Sequence, residues 1–211
     1  MFMDTLYFAA GSCSLAVHIA LEETGEPFQA VRLDLAKGQQ RNADYLALNP
    51  KGRVPVLVTE QGALTETPAL LLYVAQRFPQ AGLAPLQDPF ALARVQAFNS
   101  YLCATVHVAH AHGKRGTRWV APEETAAIEA MRRRVPHTYA ECFELIEREL
   151  LQGPWVMGEQ YTIADAYLFT LAGWLEADGV DPARFPKVLA HRQRMAERPA
   201  VQRALARVQQ D

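Results

Sequence analysis

The sequence predicts an α+β fold in two parts: a small α/β domain with a mixed sheet, then an all-helical domain. Three observations carry the prediction. Up to about residue 78, short apolar runs of strand length alternate with helical segments. Residues 79–89 then read PQAGLAPLQDP, where three prolines and a glycine make a linker composition. Beyond it the long segments carry helical periodicity, with no convincing strand. The boundaries that follow are 1–79 for the first domain, 80–89 for the linker and 90–211 for the second domain.

Taken in order, DTLYF (4–8) and FQAVRL (28–33) read as strands, separated by a helix SLAVHIALEET (14–24). VPVLV (54–58) is a further strand, and Ala63–Thr65 a short one after the turn Gln61–Gly62. TPALLLYVAQRF (67–78) is helical, with Thr67 expected at the N-cap and Pro68 at N1, where its missing N–H costs nothing. The order β-α-β-(α)-β-β-α implies a mixed sheet. In the second half helices are expected over 90–112, 123–151, 162–177, 185–197 and 199–208. Pro122-Glu123-Glu124 marks one start, with acid at the positive end of the dipole. Thr162 and Asp165 have the spacing of a capping box, a folding signal.

Half of the 211 residues are apolar and 21% are charged, which supports a sizeable core and argues against disorder. A net charge of −2 does not suit a nucleic-acid or acidic-membrane partner. The run Arg132–Arg134 reads as a solvated helix face. Cys13, Cys103 and Cys142 are widely spaced, form no CxxC and suit a reducing compartment. With no secretion signal at the start and no apolar run of spanning length, a cytoplasmic protein is expected, with no membrane partner.

The chemistry-bearing stretches are GSCSL (11–15) after the first strand, NPKGRVPVL (49–57), Glu66-Thr67 before a helix, and YTIADAYLF (161–169) in the helical half. Together, in this order and with the domain switch between them, they resemble a cytosolic glutathione S-transferase, most closely the bacterial beta class. The resemblance spans essentially the whole chain. It implies a thioredoxin-like N-terminal domain joined to a helical domain that contributes the electrophile pocket, with HAHGKRGTRW (110–119) expected to form its wall although it matches the family poorly. It also implies a homodimer, glutathione as co-substrate and no metal.

Glutathione is an acidic tripeptide whose thiol must be held as a thiolate, and backbone N–H groups and a helix N-terminus suit that task. Cys13 stands where the first helix begins, a position expected to acidify its own thiol. It matches the beta-class cysteine that sits beside the glutathione sulfur. Ser12 and Ser14 offer hydroxyls to the same sulfur, or simply cap the helix. By resemblance Pro55 is cis, and Val54 pairs its backbone with the cysteinyl unit of glutathione. Glu66 and Thr67 match the pair that grips the γ-glutamyl end, with threonine in place of the more usual serine and a proline after it. Lys37 matches a basic residue that pairs with the glycyl carboxylate. His107, six positions after a matching tyrosine, corresponds to a histidine near the sulfur, a hydrogen-bond donor or general acid. Ser100, beside Asn99, occupies the place of an asparagine that reaches across the dimer interface. Trp174 is expected near the substrate pocket or in the core. His107 and His110 share a helical face, yet no third protein ligand for a metal announces itself. Cys103 reads as a small buried hydrophobe.

The expected function is therefore conjugation of glutathione to apolar electrophiles. Thiol–disulfide exchange or peroxide reduction through Cys13 is a further expected activity. The alternative is a non-catalytic binding protein on the same scaffold.

Overall fold

Leu6 and Phe8 of β1 (Thr5–Phe8) are buried while Thr5 and Tyr7 are half-covered, the alternation of a strand with one face on a core. The computed structural model describes residues 3–209; residues 1–2 and 210–211, the outermost of the two expected domains, lie outside them. β1 pairs in parallel with β2 (Gln29–Arg32) and antiparallel with β3 (Val56–Thr59), which pairs antiparallel with β4 (Gly62–Thr65). The strand order β2-β1-β3-β4 makes the expected mixed sheet.

Helix α1 (Ser14–Thr24) has the expected bounds and ends on Gly25, whose φ of 73° is the left-handed closing turn that favours glycine. Its residues from Ala16 to Glu22 are all buried, because it is covered from several directions. On the N-terminal side it packs against β1 and α3 (Thr67–Arg77). On the other it meets two later helices, α7 (Ile163–Ala172) and α9 (Pro199–Gln209). A short α2 (Ala43–Leu48) fills the place left open between β2 and β3.

The second half is helical, with α4 (Pro89–Tyr101), α5 (His107–Lys114), α6 (Thr125–Leu145), α7, α8 (Pro186–Ala196) and α9. Among its described residues the only β pairing is an isolated bridge, Trp155–Gly158. α4 and α5 form one rod through a wide five-residue π turn, Leu102–Val106. α7 is buried over nearly its whole length and is the axis of this half. Its capping box is present: the Thr162 hydroxyl accepts from Ala164 N–H, and Asp165 accepts from Thr162 N–H at 2.7 Å. Fully buried Asp165 also accepts from Val156 N–H at 2.7 Å and faces His191 Nε2 at 2.9 Å.

Three element ends differ from expectation. Glu66, not Thr67, holds the N-cap position of α3, without a side-chain cap: Thr67 is already the first helical residue, its side chain buried on the cleft, and Pro68 is the second and not the first. α6 begins at Thr125, after a turn that uses Glu123 and Glu124. α7 stops at Ala172; a turn and a short 3₁₀ segment, Glu176–Asp178, follow and close on Gly179 with φ 76°.

The two halves are held together by arginines from α9 and the residue before it. Arg198 forks Glu23 at 2.6 and 3.0 Å, and Arg203 reaches Glu22 at 2.7 Å. Ile163 N–H donates to the Leu83 carbonyl at 2.8 Å, tying the Pro-rich segment to the cap of α7.

Candidate active site

The turn between β1 and α1 spends its polar groups internally. The Ser12 hydroxyl donates to the Ala9 carbonyl at 2.8 Å, Ala9 N–H donates to Ser14 Oγ at 3.1 Å, and the two hydroxyls are 2.5 Å apart. Gly11 supplies the left-handed φ of 66° that the turn needs. Ser14 is fully buried and reaches no cleft, while Ser12 lies on the cleft wall with its hydroxyl already engaged.

That network leaves Cys13 as the side chain presented at the start of α1. Its Sγ is 3.8 Å from the Val54 carbonyl oxygen. Burial pushes the thiol up to about 11, with the Thr67 hydroxyl working in the opposite direction. The expected acidification is thus corrected: desolvation outweighs the helix N-terminus, and the group is a neutral S–H near pH 7.

Val54 comes from the loop 49–55, which is braced at one carbonyl. Tyr45 Oη and Asn49 Nδ2 both donate to the Arg53 oxygen at 2.7 Å. The Val54–Pro55 peptide is cis, as the resemblance implies. Opposite, Glu66 takes φ 74°, a conformation that costs a non-glycine residue roughly 1–3 kcal/mol and recurs at ligand-binding positions. Its carboxylate holds Lys51 Nζ at 3.0 Å, an ammonium in the place where a ligand amine would fit.

The far wall is a helical stripe, Cys103, His107, His110, Ala111 and Lys114, at the spacings of one helix face. His107 is pushed down to about 4, chiefly by burial and then by the neighbouring His110, Arg118 and Arg53. It is a neutral imidazole near pH 7, suited to donating a hydrogen bond and not to acting as an imidazolium acid. His110 Nδ1 is 2.6 Å from Asp178 Oδ2. Trp174 stacks on His110 at 4.2 Å between ring centroids and meets His107 edge-on at 5.2 Å.

These walls enclose a cleft of about 810 Å³ between the two halves. It brings together Cys13, Ser12, Val54, Pro55, Glu66, Thr67, His107 and Trp174. It does not include Lys37, Ser14, Asn99 or Ser100. Lys37 is 78% exposed and pairs with Asp34 at 3.5 Å; Gln40 and Arg41 reach the cleft in its stead. Asn99 is fully buried in α4 with both side-chain polar atoms unpartnered, and Ser100 is exposed elsewhere on that helix. His110, Lys114, Arg115 and Arg118 belong to the segment 110–119 expected to form the electrophile wall, and they line the cleft; Arg41, Arg53 and Tyr167 line it with no role expected of them. Among the described residues no cluster of three or more His, Cys, Asp or Glu side chains could hold a metal ion.

Residues 3–76 match the model of the glutathione S-transferase N-terminal domain, and residues 126–194 that of its C-terminal domain. The chain belongs to the glutathione S-transferase family. Among relatives of the family, it is 35% identical to the glutathione S-transferase GstA of Escherichia coli O157:H7, over 95% of this chain and 96% of that one. Among solved structures, it is similar to a glutathione transferase homologue from Sulfitobacter with bound glutathione. That pair shares 47% identity and a TM-score of 0.94, over 98% of this chain and 99% of the other. A bacterial beta class transferase of Sphingomonas chungbukensis is 34% identical, with a TM-score of 0.83 over 97% and 98% of the two chains. The fold is thus the transferase fold of this family, a thioredoxin-like N-terminal domain followed by a helical one.

Proposed function

We propose that this protein is a glutathione S-transferase, binding glutathione in the cleft with its sulfur beside Cys13 and conjugating that sulfur to an electrophile. The observation that carries the reading is the convergence of Cys13, the Val54 backbone, strained Glu66 with Thr67 beside it, and neutral His107 on one cleft. The Val54 backbone is the partner for the cysteinyl unit, Thr67 with the start of α3 for the γ-glutamyl carboxylate, and Glu66 for its amine in exchange for Lys51. Arg41 and Arg53 take the glycyl carboxylate in the role first expected of Lys37. A neutral Cys13 S–H and the His107 N–H donate to the glutathione thiolate, stabilising the nucleophile. Attack forms a C–S bond, and the leaving group departs with its electron pair.

Within the same reading, the N-terminal domain runs over 1–79 and the helical domain over 90–211, which supplies the electrophile wall. The two-fold homodimer is carried over from the family resemblance, and the cytoplasmic location from the widely spaced cysteines that suit a reducing compartment. Ser100, exposed on α4 away from this protomer's cleft, is the member of the pair placed to make a contact across that dimer, whereas Asn99 is fully buried.

The test is conjugation of chlorodinitrobenzene by purified protein with reduced glutathione, beside retention on immobilised glutathione. Turnover that falls at least tenfold in Cys13→Ala supports the reading. Retention without turnover would favour the non-catalytic binding protein, and the absence of both would remove glutathione from the account.

A further inference from the structure

Glutathione does not use up the positive charge of the cleft. Arg41, Arg53, Lys114, Arg115 and Arg118 line it, and among the described residues none of these five side chains has an ion pair or a hydrogen bond. Most cationic side chains elsewhere are engaged: Arg184 with Glu144, Arg192 with Glu176, Arg198 with Glu23 and Lys187 with Glu147. The one acid on the cleft wall, Glu66, is already neutralised by Lys51.

Four of the five also crowd one another. Arg118 is held below the ordinary guanidinium value by partial burial and by Arg53, Arg115 and Arg41. Gathering like charges in a half-buried cleft is unfavourable unless an anion joins them. Glutathione bound as thiolate brings two carboxylates, one ammonium and one sulfur anion, a net charge of about −2. Arg41 and Arg53, from the N-terminal half, match that. Lys114, Arg115 and Arg118, at the end of α5 and in the turn after it, remain on the electrophile side. Trp119, Trp174 and Val108 line the same cleft, a surface for a flat ring or an unsaturated chain.

We infer that the electrophile this cleft selects is an anion: an aromatic or unsaturated carboxylic acid whose carboxylate is held by Lys114, Arg115 and Arg118 while its apolar body lies against Trp119 and Trp174. This rests on the glutathione reading above. It replaces the apolar electrophile with a carboxylate-bearing one. For an aryl halide the step is a displacement. The thiolate attacks the halogen-bearing carbon, the C–S bond forms, and halide leaves with the C–halogen electron pair. No oxidant or reductant is consumed.

The experiment compares chlorodinitrobenzene with chlorodinitrobenzoate, the same ring carrying a carboxylate. Each kcat/KM is divided by the uncatalysed rate constant. A preference for the acid of at least about tenfold at low salt is expected, equivalent to about 1.4 kcal/mol. It should shrink as ionic strength rises, and Arg115→Gln and Arg118→Gln should each collapse the ratio severalfold at unchanged melting temperature. Equal or lower efficiency with the acid, or a ratio indifferent to both substitutions, would overturn the inference while leaving the transferase reading intact. Calorimetric binding of the two glutathione conjugates gives an independent readout. If neither compound turns over, tighter binding of the carboxylated conjugate sustains the charge selection and overturns only the catalytic reading. Equal binding of the two conjugates overturns the charge selection itself.

Discussion

His110 Nδ1 and Asp178 Oδ2 are 2.6 Å apart, and the pair is clamped against Trp174 on the cleft wall. Asp178 is almost wholly buried, so it acts on the site through the histidine and is a positioning residue. Breaking a buried charge-assisted hydrogen bond costs about 1–3 kcal/mol. Asp178→Asn should therefore lower stability by that order in urea titrations. It should also raise KM for the electrophile severalfold, with a smaller change in KM for glutathione. A change in stability alone, with both KM values fixed, would assign the pair to folding only.

Cys13 carries a pH signature. With its thiol at about 11, only about one molecule in ten thousand is a Cys13 thiolate at pH 7. Formation of the mixed disulfide with oxidised glutathione should be slow at neutral pH and rise about tenfold per pH unit up to about pH 10. Intact-mass kinetics, with Cys13→Ala as the blank, measure this. A rate already at its plateau by pH 7 would mean an acid thiol and an exchange enzyme.

His18 gives the fold an acid limit. Its ring is fully buried, edge-on to Phe8 at 5.0 Å and Phe28 at 5.6 Å between centroids, with neither nitrogen hydrogen-bonded. Burial drives it down to about 4, despite Glu22 at 3.8 Å. Between its ordinary 6.5 and about 4 the unfolded chain binds a proton that the folded one refuses, so stability is lost as pH falls through that window. The loss approaches about 3 kcal/mol for this residue, and His107 acts in the same direction. Urea titrations at pH 7, 6 and 5 should show the decline, and His18→Gln should flatten it.

Asp165 is the node of the helical half, with Val156 N–H, Thr162 N–H and His191 on one carboxylate. Asp165→Ala strands several buried polar groups at once and should cost about 3–5 kcal/mol, a drop in Tm of roughly 10 °C or more. Thr162→Ala removes one cap and should cost about 1 kcal/mol. Thermal unfolding compares the two. Equal effects would mean that the node is no more than a helix cap.

Local patterns in the sequence were sufficient for much of this molecule. α1 could be bounded because Ser14 and Gly25 punctuate an unbroken helical run, and the box at Thr162–Asp165 is complete within four letters. Cys13, Pro55 and Thr67 were legible because each sits in a short motif beside a strand or helix end. Lys37 was misplaced because two cations four residues apart, Lys37 and Arg41, look alike in a loop, and only the chain path decides which faces inward. The Thr67 cap failed for a related reason: a threonine hydroxyl serves a helix end or a buried cleft, and sequence alone does not choose. His110–Asp178 joins positions 68 residues apart, beyond any local signal. Desolvation of Cys13 and His107 likewise depends on walls supplied by distant segments.

The clasp of Arg198 and Arg203 on Glu23 and Glu22 also has a temporal side. Arg198 stands 175 residues after Glu23. At ordinary rates of synthesis that separation is on the order of ten to thirty seconds. From the completion of β4 until α7 and then α9 are made, the face of α1 destined for them has no cover, although the sheet beside it is already complete. A nascent chain of this protein therefore carries a half-clad first domain on the ribosome, a substrate for chaperones that hold apolar helices. Ribosome-bound chains stalled before and after α9 would differ sharply in protease resistance at α1, and the docking of α9 would mark the moment when the first domain closes.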